Sequence, residues 1–128
     1  MKKAITAVIL LLCTAIPVGA ILLYESGRKK EFTAEILTRA PERGNFLPRK
    51  LTVSVGKLVR LRVRNVDTVV HGFAIPALNV DAGEIKAGTA VILQFTPKKE
   101  DIGTHDFYCT VWCSESHLQM RGQLEVTP

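Results

Sequence analysis

The sequence predicts an all-β protein, a Greek-key β-sandwich preceded by one N-terminal transmembrane helix. Three observations predict it. Beyond residue 30 the hydrophobic residues recur with a period of two, and about seven such runs are separated by turn residues. Before that, the first 24 residues hold a long uncharged stretch. At 128 residues the chain has room for one core of this kind, expected over residues 25–128.

The N-terminal segment comes first. Lys2 and Lys3 precede Ala4 to Leu23, twenty residues without a charge. As a helix this run would span about 30 Å. Val18-Gly19-Ala20 has the small residues of a cleavage site, so a cleaved signal peptide is the competing reading. The apolar run continues through Ile21, Leu22 and Leu23, however, and exceeds the ~7–15 residues of a signal core. Tyr24 then supplies an interfacial aromatic, followed by Arg28, Lys29 and Lys30. A retained anchor over residues 1–24 is the expectation, with the remaining chain on the periplasmic or exoplasmic side. Pro17 and Gly19 are tolerated in such a helix, and Cys13 reads as an apolar filler within it.

The strands follow in order. Phe32 to Ile36 and Leu51 to Val55 alternate, and Val59 to Arg64 places Val59, Leu61 and Val63 on one face and three arginines on the other. Further strands are expected at Val69–Ile75, Thr89–Phe95, Thr104–Cys109 and Gly122–Val126. Turns are expected at Gly56-Lys57, Asn65-Val66-Asp67, Asp81-Ala82-Gly83, Ala87-Gly88 and Pro97 to Gly103. Pro41 to Pro48 is expected to cross from one sheet to the other. No segment after residue 30 reads as a helix.

Charge is unevenly spread. Residues 28–64 carry eleven Lys or Arg against three acids, and residues 65–128 carry four against eight. The basic half lacks the aromatics and motifs of nucleic-acid readers, so it reads as a solvated face near an anionic membrane surface.

Chemistry concentrates in CTVWCSESHLQM, Cys109 to Met120, with Cys, Cys, His and Met at offsets 0, +4, +8 and +11. In a sandwich this segment is the loop between the last two strands. An extended path would separate the cysteines by about 13 Å, so the chain must curl after Cys109 for them to share an ion. A disulfide is the bland reading of two cysteines in an exported domain. Thiolate, thioether and imidazole together select copper over calcium or magnesium, and zinc gains little from a thioether. Of the other histidines, His105 lies four residues before Cys109, about 13 Å along the strand, and is expected to be merely exposed. His71 interrupts an apolar strand, Val69-Val70-His71-Gly72-Phe73, where a metal would explain an imidazole.

These residues resemble the CuA cupredoxins, the electron-accepting domains of cytochrome c oxidase subunit II and nitrous oxide reductase. CTVWCSESHLQM matches their Cys-x3-Cys-x3-His-x2-Met loop, and VVHGFAIP resembles the strand bearing their first histidine. The similarity covers residues 50–128. It implies a cupredoxin-like sandwich with two copper ions, bridged by Cys109 and Cys113. His71 with Met120 would complete one copper, and His117 with the backbone carbonyl of Val111 the other. An apolar collar of Phe73, Ile75, Val111, Trp112 and Leu118 would exclude water, with Trp112 packed in the core or lying on an electron route. Many subunit II proteins carry glutamate where this chain has Val111, and valine cannot supply that carboxylate to a second metal. The acid that commonly precedes the first histidine by three residues is here Asp67, four before, which leaves the partner of His71 unnamed.

The resemblance implies electron transfer with no catalytic residue in this chain alone, as the electron-entry module of a haem–copper cytochrome c oxidase. The donor would be cytochrome c or another small redox protein, and oxidase subunit I with its haem the acceptor. Alternatives are a stand-alone anchored carrier, a copper chaperone or store, and a mononuclear blue-copper protein on His71, Cys113, His117 and Met120. Three histidines cannot also build the second copper cluster of nitrous oxide reductase. For a basic donor, Glu84, Glu100, Asp101, Asp106 and Glu115 form the expected docking half, away from Arg60, Arg62 and Arg64.

Overall fold

The computed structural model describes residues 2–27 and 33–128, and within the first stretch the side chains of 5, 6, 11 and 13–24. The chain divides into two compact units, Met1–Glu31 and Phe32–Pro128. The first holds one helix, α1 (Lys2–Gly27), which includes Pro17. Among the described residues no helix is long and apolar enough to cross a membrane. The transmembrane anchor expected over residues 1–24 is therefore not supported. Crossing takes about 20 consecutive apolar residues, and the described part of α1 is not apolar enough over such a length. The basic cluster Arg28–Lys30 and the start of the strand expected at Phe32 lie outside the described residues.

The second unit is a two-layer sandwich of nine strands: β1 (Ala34–Thr38), β2 (Phe46–Leu47), β3 (Lys50–Ser54), β4 (Val59–Asn65), β5 (His71–Ile75), β6 (Val80–Ile85), β7 (Ala90–Phe95), β8 (Gly103–Tyr108) and β9 (Arg121–Thr127). One sheet runs β2-β1-β4-β7 and the other β3-β9-β8-β5-β6. The β1–β4 and β3–β9 pairs are parallel, and the remaining pairs antiparallel. Between residues 33 and 128 the helical turns are short 3-10 pieces. The Pro41–Pro48 segment does lead from one sheet to the other, and it contributes β2 on the way.

Alternation explains β4. Val59, Leu61, Val63 and Asn65 are buried, while the residues between them face outward. Arg60 and Arg62 are half-buried rather than water-facing as expected, and Arg62 pairs with Glu35 across the β1–β4 register at 3.4 Å. Strand β5 is buried at all five positions. Being covered on both faces, it reads as a continuous apolar run.

Strand β6 overturns an expectation. Asp81-Ala82-Gly83 was predicted as a turn but lies inside the strand. The local turn chemistry is present: Gly83 has φ +61° and donates its amide to Asp81 Oδ1 at 2.8 Å. It is absorbed as an irregularity, since the β5–β6 register shifts between Gly72 and Ala74. An edge position tolerates this because only one side of β6 must pair.

At the end of the sandwich where β5 begins and β8 stops, Phe46, Phe73 and Phe107 form a fully buried cluster. Their ring centroids lie 5.2–5.7 Å apart, two of the three contacts edge-on. Phe107 fits because residue 122 has no side chain: a Cβ there would stand 2.3 Å from the Phe107 ring and 2.6 Å from the Arg49 carbonyl oxygen. Gly122→Ala should therefore destabilise the domain by about 1–3 kcal/mol in urea titration, the usual cost of overpacking. A variant as stable as the parent would show that the ring and the Arg49 backbone yield freely.

Candidate metal centre

Two separate pieces of chain build the site. Strand β5 supplies His71 at its first position, wholly buried. The connection between β8 and β9 supplies the rest. Chain pairing with β9 continues to Tyr108–Arg121, and the Cys109 amide then bonds the Met120 carbonyl at 3.1 Å, closing the base of the loop. Beyond it a 3-10 turn, His117–Gln119, curls the chain back. This is the curl that the cysteine spacing demanded.

The predicted donors meet here. The ligand atoms of His71, Cys109 and Cys113 all lie within 4.8 Å of one another. His71 Nδ1 is 3.9 Å from Cys109 Sγ, and the Val111 carbonyl oxygen is 3.2 Å from the same sulfur. On the other side, His117 Nδ1 and Met120 Sδ each stand 3.6 Å from Cys113 Sγ. Cys109 and Met120 are buried, and Cys113 and His117 partly so. No disulfide joins the cysteines; both are free. This soft, largely water-excluded donor set fits copper. His105 takes no part: half-buried rather than exposed, its Nε2 faces the Asp101 carbonyl at 2.7 Å.

The structure supplies the partner of His71 that the sequence left unnamed. Asp67 Oδ2 lies 3.0 Å from His71 Nε2, which leaves Nδ1 directed at the sulfurs. The Asp67 carboxylate also accepts from the Ala40 amide at 2.7 Å and pairs with Arg43 at 2.8 Å. Its turn is held by fully buried Asn65, whose Nδ2 donates to the Val69 and Ile85 carbonyls and whose Oδ1 accepts from the Asp67 amide.

Gly72 is a second residue that motif reasoning missed. Its amide donates to Cys109 Sγ at 3.2 Å. A Cβ there would stand 2.1 Å from Thr110 Oγ1 and 3.0 Å from the Thr110 nitrogen. The available signal was an isolated glycine inside an apolar strand, which marks close backbone approach.

Phe73 and Ile75 of the expected apolar collar are fully buried, and Val111 is half-buried. Trp112 and Leu118, in contrast, are 66% and 72% exposed. Trp112 is thus not core packing. Its ring lies 5.7 Å from that of His117, on the outside of the loop.

The thiols differ in acidity. Burial raises Cys113, reinforced by the neighbouring Cys109 sulfur, to about 11. For Cys109 burial acts in the same direction, but His71 and the Gly72 amide outweigh it and lower the value. Burial also disfavours charge on His71, yet Cys109 and Asp67 raise it on balance. Any ion held by both sulfurs must displace the Cys113 proton, so metal affinity rises with pH.

Asp67 generates a stability prediction. Burial acts to raise its pKa, but the Ala40 amide, His71, the Thr68 amide and Arg43 prevail and lower it from 3.8 to about 2. Because the folded-state value is the lower one, the stabilisation is complete above the unfolded value and is lost as pH falls towards 2. The shift corresponds to roughly 2 kcal/mol. Acid titration of the metal-free protein, followed by circular dichroism, should show this loss, and Asp67→Asn should flatten it. An unchanged acid profile in the variant would assign the acid sensitivity elsewhere.

Known families and solved structures share this fold. The cupredoxin-like domain family matches residues 5–126. A nitrous-oxide reductase of Cupriavidus necator is 33% identical over 107 residues, covering 81% of this chain; the chain spans only 15% of that relative's length. Among solved structures, a chain of a heme-copper terminal oxidase dimer determined by cryo-EM aligns over 98% of both chains with TM-score 0.61 and 20% identity. Reduced auracyanin from Roseiflexus castenholzii aligns over 78% of this chain and 100% of its own, with TM-score 0.59 and 18% identity. A purple cupredoxin from Nitrosopumilus maritimus aligns over 73% and 99%, with TM-score 0.52 and 18% identity. At such identities the structural likenesses establish the fold, and a cupredoxin domain implies copper-mediated electron transfer. With the family matched along residues 5–126 and a His and two Cys clustered as a copper site needs, this chain belongs to the cupredoxin-like domain family.

Proposed function

We propose that this chain carries electrons through a binuclear CuA centre, as a subunit II-like electron-entry module of a haem–copper oxidase. One observation carries the reading: each cysteine sulfur faces an imidazole of its own, His71 at Cys109 and His117 at Cys113. Two ions held by both thiolates would take one such imidazole each, whereas a mononuclear site would leave Cys109 without a part in holding metal. His71, Cys109, Cys113, His117, Met120 and the Val111 carbonyl would hold the two coppers. Bound copper supplies reversible one-electron transfer. The protein contributes fixed ligand positions: Asp67 orients His71, the Gly72 amide donates to Cys109, and the buried phenylalanines below keep water out. Exposed Trp112, beside His117, offers a route between the site and a partner.

Similarity to a nitrous-oxide reductase and to an oxidase chain supports a redox partner on each side. For the donor we propose a basic cytochrome c. Asp106 borders the cleft lined by Cys109, His117 and Met120, and Glu115 is exposed on the loop itself. Arg121 borders the same cleft, so the attraction is local to the acidic side. We place the domain on the exoplasmic side, on the uncharged run Ala4–Leu23, whether that run is retained or cleaved. Spheroplast fractionation tests this, and a chain found wholly with cytoplasmic markers would reject the placement.

Copper-loaded protein should contain two coppers per chain and show the purple mixed-valence spectrum, and Cys109→Ser should abolish it. One copper with an intense blue band that survives Cys109→Ser would favour the mononuclear alternative. Reduction by cytochrome c in stopped flow should slow steeply as ionic strength rises. Slow, salt-independent reduction together with ready loss of copper to a weak chelator would assign the chain to copper delivery or storage.

A further inference from the structure

We propose that the segment Ala40–Asn45, which supplies no ligand, is the positioning element that ties the two halves of the metal site together. His71 arrives on β5 and the other donors on the 109–120 loop, and this segment is bonded to both. Towards His71, the Ala40 amide and the Arg43 guanidinium hold the Asp67 carboxylate, which in turn holds His71 Nε2. Towards the loop, Glu42 Oε1 accepts from the Ser116 amide at 3.3 Å. Asn45 Nδ2 donates to the Gln119 carbonyl at 2.9 Å. Ser116 directly precedes His117 and Gln119 directly precedes Met120, so both bonds fall beside expected ligands.

The segment is stiff enough for this task. It is a 3-10 turn closed on itself, with the Arg43 and Asn45 amides both donating to the Ala40 carbonyl. Gly44 at φ +132° and Asn45 at φ +66° turn the chain sharply, and asparagine is among the few side chains that tolerate the second conformation. Asn45 is buried, and its Oδ1 accepts from the Phe46 amide at 2.8 Å, which joins the turn to the aromatic cluster. A shift of this segment moves the supports of His71, His117 and Met120 together. Arg43, Glu42 and Asn45 are positioning residues; none of them touches a donor atom.

The inference rests on the ligand set proposed above, but its test does not need copper. Amide hydrogen exchange at Ser116, His117 and Met120 is measured by NMR on the metal-free full chain, in the parent, Arg43→Met and Asn45→Gly. Glycine keeps the left-handed backbone accessible, so Asn45→Gly removes the side-chain bonds without forcing strain. Asn45→Gly should speed exchange at Met120 by roughly five- to tenfold, the value of about one hydrogen bond. Arg43→Met, whose direct partner is Asp67, should also speed exchange at Ser116 and Met120, because the turn links the two arms. Lys57→Met, in an exposed turn at the other end of β4, serves as the control and should change neither. A second readout follows in loaded protein: both variants should move the reduction potential and the visible spectrum, which a merely stabilising residue leaves in place. If Arg43→Met disturbs only the His71 ring resonances and leaves the loop amides at parental rates, the arms are independent and the proposal fails. If the amides respond but no two-copper spectrum forms in any protein, the tie stands and the binuclear reading falls.

Discussion

The whole site depends on a close contact at a residue that has no side chain. At Gly72 the backbone of β5 lies against Thr110 so tightly that even a methyl group would occupy the place of the Thr110 hydroxyl. Strands β5 and β8 share a single register pair, Ala74–Tyr108, and then part. The 109–120 loop enters the gap. The Gly72 amide, released from strand pairing with β8, finds the Cys109 sulfur instead. A buried amide must have some acceptor, and here that need is met by a thiol that also needs a donor. Sheet geometry, backbone satisfaction and the approach of His71 to Cys109 are therefore one constraint.

This explains why some parts were legible in the sequence and others were not. The loop donors announced themselves because four soft side chains fell within twelve residues, and chemistry is written in residue type. His71 stood out as a polar residue within an apolar run. Strand β4 was plain because its pairing alternates cleanly. Strand β6 was not, because a locally genuine Asp-x-Gly turn was overruled by pairing with β5. Strand β2 has only two residues, too few for any period to show. Trp112 was misplaced for a different reason: exposure in a loop follows from how its two ends are anchored, and no pattern of neighbours encodes it. The contacts of Ala40–Asn45 lay beyond reach altogether, since they join residues up to 74 positions apart.

Rigidity at the site comes from layered support. Below the donors, Phe46, Phe73 and Phe107 each sit beside a residue that matters above: Asn45, Gly72 and, one residue further along, Cys109. Their packing fixes the backbones of β2, β5 and β8 at this end, because a close-packed interior cannot shift one ring without displacing the others. The polar groups form the next layer. The side chains of Asn65 and Asp67 are buried, and their principal hydrogen-bonding capacity is met by backbone amides, carbonyls, His71 and Arg43. A satisfied buried network of this kind specifies one arrangement, since any alternative leaves a costly unpaired group.

The outermost layer obeys the opposite rule. Trp112 and Leu118 expose large apolar surfaces on the very loop whose inner face is most tightly constrained. Folding alone gives no reason for this, since an indole gains more from burial than from water. The loop cannot bury them, because its inward positions are already taken by Cys109, Cys113, His117 and Met120. Position 112 falls between these inward-facing groups, and there the chain's sole tryptophan is turned outward, its ring tilted against that of His117. Apolar side chains held outward by a rigid base suit transient contact with another protein: they add area without requiring the loop to reorganise. The same spacing that turns the soft donors inward thus also sets what the loop exposes.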